Sequence, residues 1–181
     1  MTVDFVWALG RAAGNFFAKK SPQGRVMVAR DTRESGPQLE AALCAGLREA
    51  GMEVESVGVL PSGALAMLVQ ETGACAGVIL SASHNPASDN GVKFCGSDGA
   101  KLSEQSEREM ERGLDLTQAT PALKIAGAPD FTCTAEAFDL YQGRLRKAFG
   151  SGPFLKGIRM VVDVGHGAAW YTTPKILREM G

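Results

Sequence analysis

The chain has 181 residues, of which 45% are hydrophobic and 22% charged, and its formal net charge is −1. These values suit one globular domain, or one domain and part of another. No basic excess points to a nucleic acid partner, and no apolar run approaches the roughly 18 residues of a membrane helix. The N-terminus lacks a basic region followed by an apolar stretch, so we predict no signal peptide and expect a cytoplasmic protein.

Four cysteines are spread along the chain without a Cys-x-x-Cys pair, which disfavours zinc and thioredoxin-type sites. They are Cys44, Cys75, Cys95 and Cys133. Cys44 lies in a helical pattern and Cys75 precedes an apolar run, so we expect both to be small buried hydrophobic side chains. Reduced thiols agree with the expected cytosolic location.

Helix and strand patterns alternate along the first half of the chain. Apolar residues at helical spacing mark the helices, and short apolar runs mark the strands. The predicted helices cover 4–20 and 37–50, with a third entered through 61–63, and the predicted strands cover 25–29, 54–59 and 77–80. The run at 77–80 is apolar without alternation, which is typical of a strand buried on both faces.

The second half continues the alternation after a polar interruption. It predicts a strand at 92–94, a turn at 96–99, a charged helix capped by Ser103 and ending near Leu114, and a helix over 135–149. A Gly-Ser-Gly-Pro linker at 150–153 follows, then a buried strand over 158–164 and a helix near 174–180.

This order of elements predicts the fold class and the domain organisation. Alternating strands and helices indicate an α/β protein, here a three-layer α/β/α domain with a mixed sheet. We assign that domain to residues 1–150 and the beginning of a second similar domain to residues 151–181. Since one strand cannot make a sheet, the second unit is expected to be incomplete within this chain.

The polar loop after the third predicted strand contains the residues most suited to chemistry. It reads Ser-Ala-Ser-His-Asn-Pro at 81–86, and Asp-Asn-Gly-Val-Lys follows at 89–93. Ligands of open α/β sheets bind beyond the carboxyl ends of strands, and Ser83 would be exposed there on a rigid base. His84 and Asn85 can donate hydrogen bonds to an anion, and Lys93 can approach Ser83 if the chain folds back.

A plain surface loop is the alternative interpretation of the same residues. Asn-Pro and Asn-Gly are ordinary turn dipeptides, and the Ser-Ala-Ser sequence is common in loops. A single histidine such as His84 is more often a surface residue than a catalytic one. The residues alone leave both interpretations open.

The loop resembles the active-site signature of the phosphohexomutases, the phosphoglucomutase/phosphomannomutase superfamily. The resemblance rests on 81–86 together with Asp-Asn-Gly-Val-Lys-Phe at 89–94, and it extends over nearly the whole chain. Residues 29–36 are similar to the family's Gly-Arg-Asp-Thr-Arg segment. Residues 98–102 resemble the branch of the family that acts on glucosamine phosphates, and 162–168 resemble the start of its second domain.

Two departures from the family pattern are visible. Ala29 stands where glycine is usual, and Pro-Ser-Gly at 61–63 replaces a Pro-Thr-Pro pattern. The chain also lacks the Thr-Asp-Gly-Ile-Arg-Gly segment, the Asp-Gly-Asp-Gly-Asp metal loop and the sugar-selecting and phosphate-binding domains of the family. We therefore expect the isolated chain to be at most feebly active.

The resemblance implies a role for each matching residue in the loop. Ser83, the second serine, matches the phosphorylated serine, whereas Ser81 is assigned no chemical step. His84 and Asn85 match neighbours that shape the site, His84 with the catalytic residues and Asn85 in substrate binding. Lys93 matches a lysine assigned to proton transfer or charge stabilisation.

The segment at 29–36 matches a supporting part of the family's active site. Arg30 and Arg33 are expected to contact substrate, with Asp31 between them. A structural ion-pair network formed by the same three residues is at least as strong an expectation.

The implied reaction moves a phosphate between C6 and C1 of a hexosamine. The phosphoserine would donate its phosphoryl group to glucosamine 6-phosphate or glucosamine 1-phosphate through a bisphosphate intermediate. Mg²⁺ is the implied cofactor, with the phosphate on Ser83 as one ligand and the aspartate ligands outside this chain. The expected partner is a phosphosugar, with no nucleic acid and no membrane, and the oligomeric state stays open.

Two other functions remain open, and a third is disfavoured. A related mutase could act on glucose or mannose phosphates, because the loop that selects the sugar is absent. A truncated domain could serve as a non-catalytic phosphosugar-binding or assembly module. A serine hydrolase is disfavoured, because Ser83 is not surrounded by Gly-x-Ser-x-Gly.

Overall fold

The first helix shows how local sequence sets the elements of this chain. In the computed structural model, which describes residues 1–118, 120–123, 131–150 and 152–181, this helix spans Val3–Ala18. Thr2 caps it, because its hydroxyl oxygen accepts a hydrogen bond of 3.3 Å from the Phe5 amide. The apolar stripe of the helix, which includes Val6 and Ala13, is buried.

Four strands and six helices follow one another in the described residues. The strands are β1 (Arg25–Arg30), β2 (Glu53–Val59), β3 (Ala76–Leu80) and β4 (Val92–Gly96). The helices are α1 (Val3–Ala18), α2 (Gly36–Glu49), α3 (Ser62–Thr72), α4 (Glu104–Arg112), α5 (Ala135–Phe149) and α6 (Thr172–Glu179).

The strands form one mixed sheet in the order β2-β1-β3-β4. β1 pairs in parallel with both β2 and β3, whereas β4 runs antiparallel to β3. The register places Arg30 opposite Leu80, so the chain leaves β1 and β3 at the same edge of the sheet. That edge is where the predicted functional loop begins.

Helices cover both faces of the sheet and give the predicted three-layer α/β/α architecture. Successive β1 residues face opposite layers, as the strand period requires. Val28 packs in a cluster with residues of α1, α2 and α4, including Leu43. Met27 packs in a second cluster with residues of α3 and α5, including Leu65.

Most of the predicted elements are confirmed with small differences at their ends. α5 has the predicted bounds, and α4 is capped as expected, since the Ser103 hydroxyl accepts from the Ser106 amide at 3.2 Å. β4 continues to Gly96, two residues beyond the predicted end. α6 begins at Thr172 rather than near Pro174.

The predicted buried strand over 158–164 is wrong. The segment has no strand structure, Val161 is fully exposed and Ile158 is 57% exposed. A strand is stabilised by a neighbour that pairs with its backbone, and among the described residues the sheet ends at β2 and β4 without pairing to this segment. The division at residues 150 and 151 stays a prediction, and Ser151 of the predicted linker lies outside the described residues.

The cysteines pack as small apolar side chains. Cys44, Cys95 and Cys133 are buried, and Cys75 is half-buried. Burial, with a smaller contribution from the nearby Glu40 carboxylate, raises the pKa of Cys44 to about 12. Its thiol therefore stays protonated at neutral pH and is a poor nucleophile.

Across the described parts of the chain, no helix combines the length and the apolar character needed to cross a membrane.

Candidate active site

The residues between β3 and β4 form a tight loop, residues 81–91, here called the serine loop. Its two ends are joined by a hydrogen bond of 2.9 Å from the Ser81 amide to the Gly91 carbonyl oxygen. A Cβ atom at position 91 would lie 2.7 Å from the Ser81 carbonyl oxygen. Glycine is therefore needed where the two ends of the loop approach each other.

The two serines of the loop have different roles in its structure. The Ser81 hydroxyl oxygen accepts a hydrogen bond of 3.0 Å from the Ser83 amide, which tightens the turn. Ser83 has a left-handed backbone with φ of 58°, a conformation that few residues other than glycine adopt. Its side chain is exposed, and within the described residues its hydroxyl has no hydrogen-bond partner.

The serine loop forms one wall of an open cleft of about 730 Å³. Three segments and Pro61 line this cleft: Asp31, Thr32, Arg33 and Glu34; Ser81, Ser83, His84, Asn85 and Ala87; and residues 164–169. The predicted site residues Ser83, His84 and Asn85 are therefore brought together at one edge of the sheet.

Arg33 connects the segment after β1 to the serine loop. Its guanidinium donates hydrogen bonds to the backbone carbonyl oxygens of Ser83, Asn85, Pro86 and Asp89. Its Nε donates to Asp31 at 2.9 Å. Arginine carries five N–H donors, and all five are used in these contacts.

Asp31 fixes the position of Arg33. One Asp31 carboxylate oxygen accepts from the Arg33 backbone amide at 3.1 Å, and the other accepts from its Nε. The Asp31 amide donates to the Leu80 carbonyl oxygen at 3.0 Å, which attaches the segment to the end of β3. A second connection to the loop is a hydrogen bond of 2.8 Å from the Ser35 hydroxyl to the Asn90 side chain.

Arg30 lies outside the cleft. Its side chain is 5% exposed and forms an ion pair of 2.8 Å with Glu40 of α2. The other Glu40 oxygen accepts a hydrogen bond from the Ser56 hydroxyl of β2. The pair therefore connects α2 to the sheet.

These contacts bear on the expectation that both arginines bind substrate, which stays a prediction. Arg30 is buried in an ion pair, and Arg33 has no N–H group left for a ligand. The alternative expectation, a structural network of Arg30, Asp31 and Arg33, describes the observed contacts better.

Lys93 does not line the cleft that contains Ser83. It is exposed on β4 and lines a separate cavity of about 540 Å³ together with Ser62, Gly63 and Lys101. In the register of the sheet it lies opposite Ile79. Because paired residues of neighbouring strands share a face, Lys93 lies on the same face of the sheet as Ile79.

Sequence reasoning missed the part of the cleft formed by residues 164–169. Thr32 donates a hydrogen bond of 2.5 Å from its hydroxyl to the His166 carbonyl oxygen, which joins this segment to the end of β1. Gly165 and His166 both have left-handed backbones, with φ of 56° and 53°. A Gly-His-Gly sequence after an apolar run was the available signal, but nothing in it indicated a contact with Thr32.

The described residues contain no group of three or more His, Cys, Asp or Glu side chains suited to holding a metal ion. Within the cleft, the Asp31 carboxylate is already occupied by Arg33. The described residues therefore do not form a complete Mg²⁺ site.

The sequence and the fold of this chain both match those of known proteins. Residues 1–120 match the family model described as "Phosphoglucomutase/phosphomannomutase, alpha/beta/alpha domain I". The whole chain is 40% identical to a phosphoglucosamine mutase of Deinococcus radiodurans and 41% identical to one of Thermus thermophilus. A solved structure from Thermus thermophilus, provisionally described as a phosphomannomutase, superposes on the whole chain with a TM-score of 0.83 at 27% identity.

The chain spans 40% of the length of both mutases and 40% of the solved chain. The match therefore includes the serine loop and the sheet beneath it, and the relatives contain further residues beyond it. The family model matches residues 1–120, and these relatives match the whole chain. The chain therefore belongs to the phosphoglucomutase/phosphomannomutase family.

Proposed function

We propose that this chain is the phosphoryl-carrying part of a phosphoglucosamine mutase, which interconverts glucosamine 6-phosphate and glucosamine 1-phosphate. The observation that carries the proposal is the position of Ser83. It lies at the exposed tip of a loop built on a buried strand, with a free hydroxyl in an open cleft. A nucleophile that must accept and return a phosphoryl group needs this combination of rigid support and access.

The neighbours of Ser83 suit a phosphorylated serine. His84 and Asn85 line the same cleft, and both side chains can donate hydrogen bonds to phosphate oxygens. Phosphoryl transfer depends mainly on positioning and on stabilising the charge of the phosphoryl oxygens. We assign His84 to the catalytic groups and Asn85 to binding the phosphorylated substrate.

We assign Lys93 to proton transfer or charge stabilisation at Ser83. The support is its position near the start of β4, the strand that follows the serine loop, and the length of its side chain. Four methylene groups allow an ammonium to turn from the neighbouring cavity toward a new negative charge. A phosphate on Ser83 would provide that charge.

The proposed metal is Mg²⁺, for which the phosphate on Ser83 is the ligand this chain can offer. When bound, the ion neutralises charge on phosphoryl oxygens. Its remaining ligands and the parts that select the sugar are proposed to lie outside this chain. We further propose that residues 151–181 begin a second domain and that the protein acts in the cytoplasm.

The names of the relatives favour glucosamine over other sugars. Both mutases cited above are phosphoglucosamine mutases, and each is matched over the whole of this chain. Action on glucose or mannose phosphates is the second candidate, supported by the name of the family model.

The experiment uses a chimaera in which these 181 residues replace the matching part of the Thermus thermophilus relative. Turnover of glucosamine 6-phosphate is measured by coupled assay, and the phosphorylated residue is mapped by mass spectrometry. The proposal expects turnover and phosphate on Ser83. Faster turnover of glucose 6-phosphate or mannose 6-phosphate would show that glucosamine 6-phosphate is not the preferred substrate. An active chimaera without phosphate on Ser83 would contradict the mechanism.

A further inference from the structure

We propose that Arg33 is the positioning residue of the serine loop: it holds the backbone around Ser83 in its reactive shape and does not contact substrate. The catalytic consequence rests on the proposed function, but the structural part stands on the contacts of Arg33 alone. Sequence reasoning had placed this residue among the substrate-binding groups.

The guanidinium of Arg33 donates to the backbone of the serine loop and to Asp31. Its two terminal nitrogens bond four backbone carbonyl oxygens of the loop, those of Ser83, Asn85, Pro86 and Asp89. Carbonyl oxygens from positions spread over seven residues thus converge on one planar group. A guanidinium provides its donors in a fixed fork, so it determines how these carbonyl groups are arranged relative to one another.

Few other contacts hold the tip of the serine loop. Residues 83–89 are all exposed, so apolar packing contributes little to their positions. Within the loop, the Asn85 amide donates to the Ala82 carbonyl oxygen at 3.2 Å and the Asp89 amide to that of Pro86 at 3.0 Å. Ser83 also needs support from its surroundings, because its left-handed backbone is intrinsically unfavourable.

Arg33 is itself held in place, and its charge is neutralised, by Asp31. Asp31 binds it through both carboxylate oxygens, and the two side chains are 9% and 12% exposed. Arg33 therefore adds no unpaired positive charge to the cleft. Its effect on a phosphoryl group must pass through the loop backbone.

A lysine at position 33 would keep the charge but lose the geometry. An ammonium has three donors on one nitrogen, and it cannot reach four separate carbonyl oxygens while also bonding Asp31. Charge alone would therefore not replace Arg33. Arg33→Lys is the informative variant, and Arg33→Met removes the donors altogether.

The first test is amide hydrogen exchange on the purified 181-residue chain, read by mass spectrometry in peptides that cover 81–91. Both Arg33 variants should speed exchange of this loop at least about fivefold, the factor for losing one net hydrogen bond. Exchange in β1 and β3 should not change. Arg25→Lys is the matched control, since Arg25 bonds Glu55 and the Thr72 carbonyl oxygen beside the opposite end of β1.

The second test is turnover by the chimaera carrying the same variants. Displacing the nucleophile should lower kcat about 100-fold and leave KM within about twofold, because the sugar contacts are untouched. A raised KM with unchanged kcat would restore the substrate-binding role and overturn the inference.

The exchange result tests the structural part of the inference on its own. Loop exchange equal to the wild type in both variants, or faster exchange throughout the chain, would overturn a role confined to the loop. If the wild-type chimaera shows neither turnover nor phosphate on Ser83, the proposed function fails while the exchange result still stands.

Discussion

The sheet and the serine loop meet at Leu80, yet different forces hold them. All five residues of β3 are buried between two helical layers, whereas residues 83–89 are exposed. The strand is stabilised by burial of apolar surface, and the loop by hydrogen bonds from a neighbouring segment.

Because of this difference, residues only a few positions apart are expected to affect different properties, the free energy of unfolding or the proposed reaction. Changes in the sheet should alter the free energy of unfolding, because burial is the main stabilising term there. Changes at the tip of the loop should alter the proposed phosphoryl transfer and leave the free energy of unfolding nearly constant. Residues at the junction should affect both.

The largest expected effect is that of Ser83→Ala in the chimaera. Removing the proposed nucleophile should lower turnover by about 10⁴-fold or more and abolish the phosphate on this residue. Ser83 is exposed, so the free energy of unfolding should change by less than about 0.5 kcal/mol. Coupled assay, phosphate mapping and urea denaturation measure the three quantities.

Ser81→Ala is the control for this prediction. The Ser81 hydroxyl oxygen supports the turn by accepting a hydrogen bond from the Ser83 amide. We assign Ser81 no step in the proposed phosphoryl transfer. This variant should retain phosphate on Ser83 and lose no more than about tenfold in turnover, the value of one hydrogen bond. Phosphate on Ser81 in an active protein would reverse the assignment of the two serines.

The opposite test removes apolar surface beneath the sheet. Leu43 is fully buried in the layer that includes α2, and Leu43→Ala should lower the free energy of unfolding by about 2–5 kcal/mol. Urea denaturation of the chain measures it, with Leu116→Ala as the control because Leu116 is 61% exposed. Equal free energies of unfolding for the two variants would show that burial of Leu43 does not stabilise the fold.

The core and the place of the loop could be predicted from sequence because both depend on local pattern. The apolar run ending at Leu80 is followed at once by small and polar residues, which predicts a buried strand and a loop at its carboxyl end. The resemblance to a known signature then singled out Ser83 as the proposed phosphoryl carrier, a step that the run and the loop alone did not allow.

What could not be predicted depends on contacts between distant segments. Nothing near Arg33 in sequence indicates that its guanidinium reaches carbonyl groups about 50 residues later, at Ser83 and Asp89. The run at 158–164 shows the converse limit. Its apolar residues resemble those of β3, but a strand forms only where partners pair with it, and periodicity does not report partners.

A third prediction concerns Lys93, which belongs to the sheet but is proposed to act at the loop. Lys93→Met in the chimaera should lower kcat about 100-fold, within the range for a group that transfers a proton or stabilises charge. Lys101→Met is the matched control, because Lys101 lines the same cavity and its side chain is 74% exposed. Equal turnover of the two variants would remove Lys93 from the mechanism.

The smallest expected effect is at Gly91, where the loop returns to the sheet. Gly91→Ala would place a Cβ atom 2.7 Å from the Ser81 carbonyl oxygen, and backbone must move to relieve the contact. That movement weakens the hydrogen bond between the Ser81 amide and the Gly91 carbonyl oxygen, so the free energy of unfolding should fall by about 1 kcal/mol.

The control is Gly63→Ala, because a Cβ atom there meets nothing within 4 Å. Gly63→Ala should leave stability unchanged or slightly raised, since alanine favours the helical backbone of α3. Urea denaturation compares the two variants, and hydrogen exchange at 81–91 locates the effect. If Gly91→Ala is as stable as Gly63→Ala and the loop exchanges at the wild-type rate, the close approach at Gly91 does not hold the loop on the sheet.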